Sequence, residues 1–186
     1  MVEMLVVVAV LLVLAGISIP ALTRAFATYQ LNDAASRLAG TIKLARFEAI
    51  RVNKPVSCQI RQSGTGWVVY ADNNGNLTPD PTETQDLIVS PMNLIGNGGG
   101  GIPDTAPIAA SLGASGLPLT VISGVNGAVT FDQRGAVTTD QGGKVYVLYL
   151  VNSANADPGF RAVVVLPSGM VHVWRALQGG TWFPVS

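Results

Sequence analysis

At 186 residues the chain has room for one ordinary domain and an anchor, and no internal repeat points to a solenoid or an array. Charged residues make up 12 % and the mean hydropathy is +0.41, a balance natural for a chain with one segment in lipid and unusual for a freely soluble enzyme. Formal charge sums to zero, and a lone cysteine, Cys58, and a lone histidine, His172, exclude an intrachain disulfide and leave a zinc site without ligands.

From Met4 to Thr23 no residue is charged, and Met4 to Ala15 is apolar at every position, so no face could be turned to water. At about 1.5 Å per residue this run is about 30 Å long, the thickness of a bilayer's hydrocarbon core. A spanning helix over residues 1–23 is predicted. A cleavable secretory signal would want a basic residue ahead of its core, a shorter core and a small-x-small cleavage site, and here the helical pattern continues past Arg24. Glu3 is the odd residue, because a carboxylate at the edge of a span is costly unless it finds a cation or stays near the headgroups. It is either a helix N-terminal acid favoured by the macrodipole or a group with a partner. Gly16, Ser18 and Pro20 sit together near the end of the span, and Pro20 removes a backbone donor, so a bend or local melting is expected there.

Residues 24–54 form the next element. Leu31, Ala35, Leu38, Ile42, Ala45 and Ala49 recur at alternating spacings of four and three, while Arg37, Lys43, Arg46 and Arg51 lie off that stripe. The pattern predicts an amphipathic stem helix packing one narrow, alanine-rich face on a partner. Between Arg24 and Arg61 seven basic residues face two acidic ones, whereas from Gln62 onward four basic residues face eight acidic ones. An acidic head is a poor general trap for nucleic acid.

Residues 55–186 are expected to form a β-rich head. Val56 to Arg61 and Trp67 to Ala71 flank Gln62-Ser63-Gly64-Thr65-Gly66, a hairpin by its length and glycines. Further strands are expected over 85–90, 119–123, 128–132, 144–151, 161–166 and 170–176, the last two joined by Pro167-Ser168-Gly169. The antiparallel set should pack on the stem, an α+β arrangement. The stretch 91–118 is rich in glycine and proline and is expected to be a long surface loop without helix or strand, a variable contact surface or a plain flexible connection. Gly98 to Gly101 lack the lysine and the helix start of a phosphate cradle.

Asp72, Asn74, Asn76 and Asp80 have the alternating oxygens of a calcium loop but no bidentate glutamate at the usual later position. As a turn the segment needs no metal, since Asn and Gly tolerate positive φ. Cys58 alternates with apolar neighbours and is expected to be a buried structural thiol. His172 stands on a strand beside Trp174 with no evident nucleophile to serve, and Asp132 and Asp140 look solvated, so neither a catalytic residue nor a cofactor site is expected.

The start Val2-Glu3-Met4-Leu5, the apolar run and Pro20 resemble the N-terminus of type IV pilins and pseudopilins. Ala34-Ala35-Ser36-Arg37-Leu38 and Lys43-Leu44-Ala45-Arg46-Phe47-Glu48-Ala49-Ile50 through Val56 sharpen this to a resemblance to the GspH/FimT family of minor pilins and type II secretion pseudopilins. Phe131-Asp132-Gln133-Arg134-Gly135 and the closing turn at Ser168-Gly169 are similar to family landmarks. The resemblance implies a pilin-like fold and a structural subunit that joins other subunits through its N-terminal helix, with Glu3 neutralising a neighbour's terminal amine. It implies an inner-membrane, single-pass chain with its head in the periplasm, then in a pilus or pseudopilus. It also implies a short basic leader ending in Gly, cleaved by a prepilin peptidase before an N-methylated Phe. Met1 stands only two residues before Glu3, so the chain is trimmed, or its start is assigned downstream, or processing is skipped. Counted over the residues present, the positive-inside rule would put the stem in the cytoplasm; the leader of the family would supply the cytoplasmic charge and reverse that. A competence-type relative that binds DNA is the alternative, with Trp174 and Arg175 the contacts, although only Arg175 matches the family's Gly-Arg-x-Arg-like context in kind.

Overall fold

The computed structural model of the chain describes residues 2–96, 101–113, 119–120, 122–123, 126–138 and 145–185. One helix, α1 (Val2–Val52), takes up both the apolar run and the stem. All six residues of the stripe, Leu31 to Ala49, are fully buried, as a 3.6-residue repeat laid along one face requires. The helix stops at Asn53, whose φ of 51° turns the chain into the left-handed region, while the Lys54 N–H reaches back to Ala49 O at 3.3 Å and the Asn53 N–H to Ile50 O at 3.3 Å. That is a Schellman cap with asparagine in the glycine's place, and Pro55 follows it. The local melting expected at Pro20 does not occur: α1 runs through it unbroken. A proline deletes one donor, and the turns on either side hold, with Ser18 Oγ donating to Leu14 O at 2.8 Å and Thr23 Oγ1 to Pro20 O at 2.9 Å.

Two sheets close on the stem. The first contains β1 (Val56–Ser63), β2 (Gly66–Asp72), β3 (Gln85–Ile88), β6 (Ile122–Ser123) and β7 (Asn126–Phe131), in the order β3-β2-β1-β7-β6. The β1–β2 hairpin pairs Ser63 with Gly66 across Gly64-Thr65, and Gly64 supplies the positive φ that such a two-residue turn needs. The second contains β4 (Met92–Ile95), β8 (Tyr146–Asn152), β9 (Phe160–Val165), β10 (Val171–Ala176) and β11 (Phe183–Pro184), in the order β11-β10-β9-β8-β4, with β5 (Leu119–Thr120) parallel to β8. Both inner faces meet the stem stripe in one core: Cys58, Ile60, Val69 and Phe131 from the first sheet, and Leu148, Leu150, Val163 and Val165 from the second. The expected α+β architecture, a long helix on antiparallel sheets, is the one observed.

The second sheet is buried on both faces, which explains why β9 reads as an unbroken apolar run after Arg161. Its outer face carries Val147, Tyr149, Val164 and Trp174, and they form a second core with Ile108 and Trp182. The stretch 91–118 is therefore not the structureless loop expected from its glycines and prolines. Met92 and Leu94 alternate inward on β4, and Ala106–Ser111 folds as a short helix, α2, with Pro107 in its first turn and Ile108 pressed onto the sheet. Trp182, whose Nε1 donates to Pro103 O at 3.4 Å, completes the cover. The single strand expected over 119–123 is instead divided between the two sheets. Gly98 to Gly100 of the considered phosphate cradle lie outside the described residues, as does Asp140.

Candidate functional site

Val2 to Phe26 are exposed along the whole upper half of α1, and the head covers none of them. An 18-residue window of this helix has a hydropathy of 2.9 with no residue buried, so one helix is long and apolar enough to cross a membrane. Glu3 lies in the first turn and makes no ion pair among the described residues. Pro20 follows 17 residues later, about 26 Å along the axis at the helical rise. Ala27 is the first residue of α1 to be buried, so this apolar rod leaves the head about one turn after Arg24.

At the junction the charge asymmetry of the sequence turns into pairing between stem and head. Arg24 Nε lies 3.1 Å from Asp157 Oδ2, and Arg37 bridges Asp33 Oδ2 at 3.1 Å and Asp86 Oδ1 at 3.3 Å. Sequence reasoning missed the most buried of the charges here, Arg161. Its Nε donates to Asn32 Oδ1 of the stem at 2.7 Å, and its Nη1 to the carbonyls of Pro158 at 3.1 Å and Phe160 at 2.9 Å. Desolvation, then the charge of Arg175 directly opposite it on β10, holds the Arg161 guanidinium below its ordinary value. The one signal for it was an arginine heading the apolar run Ala162 to Val165. Arg161 and Arg175 line a groove of about 420 Å³ between Thr28 of the stem and Phe183 of β11.

At the far end of the stem another arginine acts as a strut. Arg46 Nε donates to Gly135 O at 2.9 Å, and a Cβ placed on Gly135 or Gly169 would come within 2.9 Å or 2.7 Å of that same nitrogen. Val137 N–H donates to Pro167 O at 2.9 Å, so the turn after β7 and the β9–β10 turn touch each other and the stem at one point. Asp132 shapes the first of these turns by accepting from the N–H groups of Arg134 and Ala136 through Oδ1, at 2.8 and 2.9 Å.

The four calcium-loop residues do come together, but around backbone donors. Asp72 is buried and accepts from Gly75 N–H at 2.7 Å and Leu77 N–H at 3.1 Å, while Asn74 and Asn76 both donate to Asp80 Oδ2, at 2.8 and 2.7 Å. Glu83, which sequence reasoning passed over, accepts from Asn73 and Asp80 N–H groups, each at 3.2 Å, and closes the loop from the other side. Trp174 and Arg175 point to opposite sides of β10: Trp174 is 6 % exposed within the outer core, with no ring face free for stacking, and Arg175 is exposed. Cys58 is fully buried, and burial pushes its thiol up to about 12. His172 pairs with Val164 across β10 and β9 and is partly exposed.

Residues 34–169 match the family model described as type II transport protein GspH, more than half of the chain. The chain belongs to that family. Its members are structural subunits of the pilin class, which bears out the resemblance drawn from the stem and the Ser168-Gly169 turn. The GspH match opens at Ala34, within the buried stem, and closes on Gly169, the glycine that lies against Arg46. The chain is similar to the crystal structure of the type IV minor pilin FimU of Pseudomonas aeruginosa strain PAO1, at 14 % identity and a TM-score of 0.47, over 77 % of this chain and 87 % of that one. No curated protein sequence matches it.

Proposed function

We propose that this GspH-family chain is a minor pilin or pseudopilin that waits in the inner membrane on its N-terminal helix, head in the periplasm, and then enters a filament and serves its assembly or protein export. The observation that carries this is the bare upper half of α1, an apolar rod that is continuous with a stem buried in the head. In lipid that surface is solvated by acyl chains; in a filament it is covered by the same surface of neighbouring subunits. Glu3 and Pro20 are the assembly residues of this reading, and a prepilin peptidase acts on the precursor if it carries a leader. The competence-type alternative, in which Trp174 and Arg175 hold DNA, has less support because the indole is packed in the outer core and leaves Arg175 as the one exposed contact.

Glu3 tests the reading. Its carboxylate pairs with a neighbour's terminal amine in a low-dielectric bundle, where such an attraction is far stronger than in water. Glu3→Leu removes the pair and eases residence in lipid. In a strain lacking the native copy, the membrane-bound pool should persist while incorporation into filaments, or filament-dependent secretion, falls. Incorporation equal to that of the parent would reduce Glu3 to a helix-end acid.

A further inference from the structure

We propose that the groove between the stem and the C-terminal strands binds the headgroup of an anionic phospholipid, so that the head holds the membrane surface as well as hanging from it. This rests on the anchoring of α1 in a bilayer, and adds to that reading a lipid site on the head.

The depth of the groove comes first. The uncharged run ends at Thr23, and Thr28, which lines the groove, lies five residues on, about 7–8 Å further along the axis. A bilayer's headgroup layer extends roughly 5–8 Å beyond each face of its hydrocarbon core. A helix that fills the core with Met4 to Thr23 therefore sets this groove at the level of the phosphates.

Its chemistry fits that level. Arg161 and Arg175 are cross-strand partners, and two like charges directly opposite each other repel unless an anion lies between them. The carboxylate in the groove, Asp157, is already held by Arg24 at 3.1 Å, so three guanidiniums stand against one carboxylate. Arg161 is 4 % exposed, and its orientation is set by Asn32 and two carbonyls through Nε and Nη1; its Nη2 makes no hydrogen bond among the described residues. A phosphate diester offers the acceptors this fork lacks. Phe183 and Leu177, 57 % and 67 % exposed on the rim, supply an apolar surface beside the cations. That combination suits a headgroup joined to acyl chains better than a free phosphate.

The test uses the full chain with vesicles of phosphatidylcholine, with and without phosphatidylglycerol. Flotation measures insertion, and native mass spectrometry of the recovered protein measures which lipid stays bound. Insertion into both kinds of vesicle is expected, with phosphatidylglycerol retained roughly fivefold more tightly for each guanidinium that meets it. Arg175→Gln, an exposed change, should bring phosphatidylglycerol towards phosphatidylcholine, Phe183→Ser should weaken both lipids, and inorganic phosphate should not displace the lipid. Equal retention of the two lipids by the parent chain, or no effect of Arg175→Gln, overturns the site while leaving the anchor standing. Displacement by inorganic phosphate or by a single-stranded oligonucleotide at comparable concentration overturns it in favour of a general anion or nucleic-acid site. Failure to float with either vesicle overturns the anchoring and the site together.

Discussion

Arg46 on the stem and Gly169 in the β9–β10 turn occupy one space: a side chain on the glycine would lie 2.7 Å from the arginine's Nε and 1.9 Å from the Gly135 carbonyl that this nitrogen bonds. The two sheets and the helix meet at that point, so the glycine is required by close approach as well as by its φ of 77°.

Gly169→Ala should therefore destabilise the protein by about 1–3 kcal/mol from backbone strain, with displacement of the Arg46 strut adding to it. Gly179→Ala is the control, since Gly179 shares the positive φ but has open space around it. Urea unfolding of the two variants side by side should show the larger loss at Gly169; equal losses would mean that crowding at Arg46 contributes nothing.

Asn32 and Arg161 are 129 residues apart and joined at 2.7 Å. Asn32→Ala leaves a buried guanidinium nitrogen without its acceptor, which should cost about 1–3 kcal/mol in urea unfolding. Asn155→Ala, which removes a turn bond from the neutral Asp157 N–H and leaves no buried charge without its acceptor, should cost less.

Cys58 gives a dependence on pH with a definite sign. Its thiol is raised from an ordinary 9.0 to about 12 by burial, so between those values the native state keeps a proton that the unfolded chain releases. The contribution is whole below pH 9 and is lost as pH rises towards 12. Wild type should lose stability more steeply over that window than Cys58→Ala, measured as the difference of their urea midpoints. At pH 8 iodoacetamide should label Cys58 only when urea has unfolded the chain; fast labelling of native protein would place the thiol at the surface.

Among the described residues, removal of 1–27 takes away exposed side chains and only Ala27 of the buried set. The remaining head should be soluble and monomeric by sedimentation, retaining the Asn32–Arg161 bond and the stem stripe. A truncated head that still pellets with membranes of phosphatidylcholine alone would show that the anchor lies elsewhere, whereas pelleting confined to anionic membranes would report the groove at Arg161 and Arg175.

The stem was legible because its periodicity is strict: six residues spaced four and three apart can share a face in a helix and nowhere else. The β1–β2 hairpin was legible through Gly64, whose freedom at positive φ the turn uses. β4 and α2 were hidden because each is brief and bounded by glycines and prolines, and their order comes from covering a sheet whose need for cover appears only once β8 and β9 are paired. β5 and β6 were merged because a change of sheet after two residues leaves no mark on hydropathy. At the junction, Arg24 and Arg37 showed only as an excess of charge, since their partners Asp157 and Asp86 are distant in sequence. Arg161 looked like an interruption in an apolar strand, and its role depends on Asn32, which carries no pattern of its own.

Because α1 passes Pro20 without a break and its stem is sealed into the head, rotation is transmitted along it as along a shaft. Each residue of an α-helix turns the chain by about 100° and advances it about 1.5 Å. One residue inserted between Pro20 and Ala27 would hardly change how far the head stands from Glu3, yet it would swing the head about a quarter-turn around the helix axis. The residue count of the rod thus sets the compass bearing of the head, and a filament made of such subunits would tolerate a lengthened helix in whole turns far better than in single residues.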